Sequence, residues 1–130
     1  MPSLIADVLL SSSHDCYSLL VALTVEWDER ALSELRRLPA AERAAVMNAA
    51  AKLEAFGDQL GWPHTSQVRG SRAGIRELRP RAGRSSWRVM YRRVARGMVM
   101  LAVGPEAEHD QRGFDRAVRR AEERLEEVDG

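Results

Sequence analysis

Little in this chain can carry covalent chemistry. Of 130 residues only one is cysteine, three are histidine, and aromatic side chains make up 5%. Cys16 stands alone, which excludes an internal disulfide, and a lone cysteine is ordinarily a small hydrophobe. His14, His64 and His109 are scattered, with no cysteine or carboxylate at metal-ligand spacing, so neither a metal nor a cofactor is expected. There is no Gly-rich phosphate loop, no Gly-x-Ser-x-Gly elbow and no Cys/His pairing that announces a nucleophile. No stretch approaches the roughly 20 apolar residues of a membrane span. The two early apolar patches, "LIADVLL" and "LLVALTV", are broken by Ser-Ser-Ser-His-Asp and follow no basic start. A signal peptide is therefore not expected, and the cytoplasm is the expected compartment.

What is abundant is arginine. Nineteen of the 20 basic side chains are Arg, against 19 acids, and the near-neutral total hides a partition. Residues 1–59 hold five bases and nine acids, and residues 105–130 again hold five and nine. Residues 60–104 hold ten arginines and a single acid, Glu77. Asymmetry of this kind speaks about partners rather than fold. A polyanion-binding surface is the leading reading, with a docking surface for an acidic protein partner and mere composition as the alternatives.

Length and a hydrophobic content of 45% fit one globular domain. "LVALTVEW" (20–27) reads as a strand with Val25 and Trp27 on one face, and Asp28 as the N-cap of a helix carrying Ala31, Leu32, Leu35 and Leu38. A second helix is predicted from Ala40 to Phe56, stopped by Gly57. Residues 57–74 read as irregular, and "GIRELRP" (74–80) as a short strand. "WRVMYRRV" (87–94) alternates, with Trp87, Val89 and Tyr91 on the core face and Arg88 and Arg92 exposed. "ARG" is a tight hairpin, "MVMLAV" (98–103) a fully apolar strand, and a last helix runs from about Asp110 to Glu127. The expected class is α+β in the order β-α-α-β-β-β-α. A small antiparallel sheet packs against an N-terminal helical hairpin and a C-terminal helix, with the helices on one face. The domain is expected over 23–130. Residues 1–22 form an extension, either disordered or covering a sheet edge.

"WDERALSELRRLP", "IRELRP", "SWRVMYRR" and "LAVG" followed by a helix with "AVRR" together resemble, in order and spacing, RelE-type toxins of bacterial toxin–antitoxin pairs. "GWPHTSQVRGSRAGIRELRP" is most similar to the phage-derived HigB-like branch. The resemblance implies the RelE/ParE fold and a ribosome-dependent mRNA endoribonuclease neutralised by an antitoxin, expected to be a helix-turn-helix protein. It implies phosphate-clamp roles for Arg88, on the family's third strand, and for Arg79, with Arg81 lining the same groove as an RNA-binding residue. Arg76, Arg84 and Arg92 complete the expected RNA-binding set. Where the family has a basic segment and then a tyrosine, this chain has Pro105-Glu106-Ala107-Glu108 and Phe114. His109 is the nearby group able to titrate near neutral pH, and is the acid–base candidate. Otherwise "EAEHD" is a solvated loop with Asp110 as helix cap. The departure leaves two other readings open: a degenerate RNA- or protein-binding module, and a ParE-like gyrase inhibitor.

Overall fold

The computed structural model describes residues 23–129, so the predicted extension 1–22 lies outside the described residues. Strand β1 is Thr24–Trp27, helix α1 Glu29–Arg36 and helix α2 Ala40–Phe56. Then come β2 (Thr65–Gln67), β3 (Arg76–Leu78), β4 (Trp87–Val94), β5 (Gly97–Pro105) and helix α3 (Gln111–Asp129). The expected α+β class holds, with one strand more than predicted. That strand, β2, fell in the segment read as irregular. With three residues and a single buried side chain, Thr65, it lacks the apolar alternation that marks a strand.

The sheet runs β1-β5-β4-β3-β2. It is mixed rather than purely antiparallel, because β1 pairs parallel with β5, Trp27 opposite Met100. A two-residue turn, Ala95-Arg96, joins β4 to β5. Their ladder slips between Met90 and Tyr91, where Leu101 is the extra residue of a bulge.

Helices cover both faces, which corrects the one-face expectation. Leu35, Leu38, Val46 and Leu53 of the helical hairpin pack on Leu78, Val89, Tyr91, Met98 and Met100. Phe114, Ala117, Ala121 and Leu125 of α3 pack on Met90, Val99, Leu101 and Ala102. This explains why "MVMLAV" is apolar at every position. Its alternate side chains enter two different cores, and each buried aliphatic side chain contributes about 1.5–3 kcal/mol.

Local signals set the ends of these elements. The Asp28 carboxylate accepts from the Arg30 N–H at 2.8 Å, capping α1. Asp110 accepts from the Gly113 N–H at 2.9 Å, capping α3. Gly57 closes α2 at φ 57°. Gly97 is required by the β1–β5 pairing, because a Cβ there would overlap the carbonyl of Thr24.

Candidate functional site

The basic hairpin does not form one continuous face. Arg88 sits on β4 opposite Gly104 and points toward the α3 side, where it is 3% exposed instead of solvated as alternation suggested. Four of its five N–H donors are hydrogen-bonded, and the fifth lies beside a carboxylate. Nη1 donates to the carbonyls of Ser85 at 2.6 Å and Trp87 at 2.9 Å. Nη2 donates to the Gly83 carbonyl at 3.1 Å and to Glu106 at 2.9 Å, and Nε lies 3.4 Å from Glu77. Burial chiefly, and the charge of Arg79, push its pKa down, while Glu77 and Glu106 oppose them. A buried guanidinium is tolerable only because this shell neutralises it.

Glu77 ties Arg88 to Arg79. Its Oε1 accepts from Arg79 Nη1 at 2.8 Å as well as facing Arg88, and Oε2 has no hydrogen-bond partner among the described residues. The carboxylate borders a groove of about 510 Å3 shared with Gln67, Ala107 and Phe114. Arg79 spends Nε on the Pro63 carbonyl at 3.0 Å. Its guanidinium carbon lies 4.2 Å from the centroid of the Trp62 ring, a cation–π stack, and that ring is 72% exposed. No hydrogen bond among the described residues engages Arg79 Nη2, so this guanidinium, unlike that of Arg88, keeps donors to offer.

The turn between β3 and β4 is built around these two arginines. Arg81 and Ala82 both have φ of 56°, a left-handed conformation costing roughly 1–2 kcal/mol each for residues with a Cβ. Gly83 follows at φ 93°, and a Cβ there would come within 2.6 Å of Arg79 Nη2. Glu42 at the start of α2 anchors the turn. It bonds Arg81 at 2.6 Å and Ser85 at 2.7 Å, and these two hydrogen bonds hold its carboxyl below the ordinary range.

The remaining predicted residues scatter. Arg76 faces the helical hairpin, donating to the Tyr91 hydroxyl at 3.3 Å and to Thr65 at 3.1 Å. Arg81 is spent on Glu42, and exposed Arg84 folds back on the Arg81 carbonyl. Arg92 lies beside Gly74 near the far end of α3. His109 is exposed and lines a separate groove with Trp87, Pro105 and Arg116. No hydrogen bond or ion pair among the described residues joins its imidazole to Arg79 or Arg88, so it is not part of their cluster. Sequence reasoning missed Glu77 and assigned no role to Glu106 in holding Arg88. For Glu77 a signal existed: it is the lone acid among ten arginines.

Residues 33–126 match the phage-derived protein Gp49-like family (DUF891). The chain belongs to that family. The Gp49-like domain shares its fold with RelE-type toxins of toxin–antitoxin systems. An arginine-to-alanine double mutant of the Escherichia coli toxin RelE, in the free state, superposes with a TM-score of 0.53 at 21% identity, covering 76% of this chain and 97% of that one. The toxin–antitoxin complex RelBE2 of Mycobacterium tuberculosis gives 0.52 at 25% identity, over 65% and 99% of the two chains. The same E. coli RelE mutant bound to a peptide of its antitoxin gives 0.51 at 21% identity, over 70% and 92%. No curated protein matches the sequence. Among the described residues no helix is long and apolar enough to cross a membrane, and no group of three His, Cys, Asp or Glu could hold a metal ion.

Proposed function

We propose that this Gp49-like chain is the toxin of a type II toxin–antitoxin pair. In this reading it is a cytoplasmic, ribosome-dependent mRNA endoribonuclease of RelE/HigB type, restrained by a helix-turn-helix antitoxin. Family membership and the RelE-type fold support the toxin assignment, and the antitoxin complexes of the two similar toxins support a protein partner. Glu77 carries the chemical reading. It is a carboxylate gripped by two arginines on one oxygen, unpartnered on the other, and bordering a groove.

Cleavage by the neighbouring hydroxyl needs a proton acceptor and a phosphate clamp. Glu77 Oε2 takes the proton from the ribose 2′-OH, and the 2′-oxygen attacks phosphorus. The P–O5′ bond breaks and the leaving oxygen takes a proton from solvent. The products are a 2′,3′-cyclic phosphate and a 5′-hydroxyl. Arg79 Nη2 meets the non-bridging oxygens, and Trp62 offers a stacking face to a base. Arg88 joins the clamp only where the phosphate displaces Glu106.

One observation favours a second reading, a silent RNA-binding member of the fold: Arg88 already makes four hydrogen bonds and an ion pair with Glu77. Incubating the purified protein with programmed ribosomes separates the two. Cyclic-phosphate ends that vanish in Arg79→Ala support the nuclease. Salt-sensitive binding with intact RNA supports the silent form.

A further inference from the structure

A second groove lies on the other flank of α3. Gly113, Arg116 and Arg120, spaced for one helix stripe, face it, whereas Gln111, Asp115, Val118 and Glu122 face the Glu77 groove. The two grooves share no lining residue. This one, about 590 Å3, runs from the end of α1 to the end of β5, over a floor of Leu38, Trp87, Val103 and Pro105. Arg37, Arg116, Arg120 and His109 stand around that floor.

Its positive character comes from the fold. Arg37 belongs to the acidic N-terminal block, and Arg116 and Arg120 to the acidic C-terminal one. Folding gathers these arginines while consuming the acids beside them. Glu34 accepts from Arg124 at 2.9 Å and 3.1 Å and from the Val103 N–H at 3.0 Å, and Asp110 caps α3. Arg120 Nη2 reaches the Val103 carbonyl at 3.0 Å. Its Nε lies 3.1 Å from Glu34 yet out of line for a hydrogen bond, so it is buried without a partner. Among the described residues no ion pair or side-chain hydrogen bond engages Arg37 or Arg116.

We propose that this groove docks an acidic peptide segment of a partner protein. Carboxylates sit on Arg37 and Arg116 and an apolar side chain lies against Trp87 and Val103. A peptide fits better than a nucleic acid for two reasons. The floor is apolar and suits an aliphatic side chain, and the Arg37 and Arg116 charges stand apart around it, matching carboxylates spaced along a peptide that also brings N–H donors. The inference does not rest on the RNA reading.

The test is anisotropy of a short fluorescein-labelled peptide alternating Glu and Leu, titrated with the full chain. Arg37→Glu and Arg116→Glu should each weaken binding by at least about tenfold, equivalent to ~1.4 kcal/mol, since each removes a charge-assisted hydrogen bond. Arg84→Glu, an equal charge change elsewhere, should leave it within about twofold, and a Gln/Leu peptide should not bind. Both arginines are exposed, and matching circular dichroism confirms that the variants fold. No binding by the wild type, indifference to Arg116→Glu, or displacement of the peptide by oligouridine at equal charge would each overturn the proposal; the last would make the groove a phosphate site. Peptide binding by a protein that cuts no RNA would keep it and remove the nuclease reading alone.

Discussion

Arg88 makes four hydrogen bonds and faces Glu77, and three of its acceptors are backbone carbonyls that cannot swing away. The only partner near the surface is Glu106, whose side chain is 27% exposed against 11% for Glu77. An incoming phosphate must therefore compete with Glu106. Glu106→Gln should raise affinity for single-stranded RNA about fivefold, equivalent to the ~1 kcal/mol of a partly exposed ion pair. Glu108→Gln removes the same charge two residues away and should change affinity less than twofold; equal effects would mean only bulk charge matters. Arg88→Lys keeps the charge but loses the fork. It leaves buried carbonyls without a donor and Glu77 with Arg79 alone, and chemical denaturation should report a loss of about 3 kcal/mol. The resemblance marked Arg79 and Arg88 as candidates, and the structure brings both onto Glu77. The resemblance could not say that one would keep free donors and the other none, because that depends on which carbonyls the turn at Arg81 and Ala82 aims inward. Glu77 is a short-range neighbour of both arginines, and was legible only as an anomaly of charge.

Among the elements, α1 and α3 are joined to β5 through one carboxylate. Burial alone would raise the Glu34 pKa. The Arg124 hydrogen bond, the Val103 N–H and the charges of Arg120 and Arg124 outweigh it, and the pKa stands below the ordinary value. A depressed carboxylate stabilises the fold above its unfolded pKa, about 4.3, and loses that contribution as pH falls through the folded value. Urea midpoints should accordingly drop below about pH 4.5. Glu34→Gln should flatten that drop while costing roughly 3 kcal/mol at neutral pH, because Arg124 is left buried without its partner. Packing gives a second test. A Cβ on Gly104 would stand 2.5 Å from that of Ala117, so Gly104→Ala must push α3 off the sheet and should cost about 1–3 kcal/mol in a thermal melt. Strand β4 and helix α2 were legible to the residue, since each carries a clean period between clear stops. The parallel pairing of β1 was not, because nothing local encodes which edge of β5 a distant strand joins. The second helical layer was in fact written in "MVMLAV", where a strand with one wet face would have alternated.

At the scale of the molecule, the block of ten arginines and one acid does not become one basic wall. It divides into a largely buried cluster of Arg79 and Arg88 around Glu77, a face against the helical hairpin and a solvated remainder. RNA binding through such a surface is mostly phosphate contact, so affinity should fall steeply and log-linearly with salt, with little base preference. In the proposed function Glu77, held by Arg79 and Arg88, takes a proton from ribose during cleavage. That step is tested most directly by mapping 5′-hydroxyl ends on ribosome-bound mRNA after inducing the wild type and Glu77→Gln. Gln keeps the shape and the hydrogen bond to Arg79 but cannot accept the proton. New ends are expected with the wild type, and a loss of at least about a hundredfold with Glu77→Gln, at a temperature where circular dichroism shows both proteins folded. Equal cleavage by both proteins, or intact mRNA with the wild type, would contradict it.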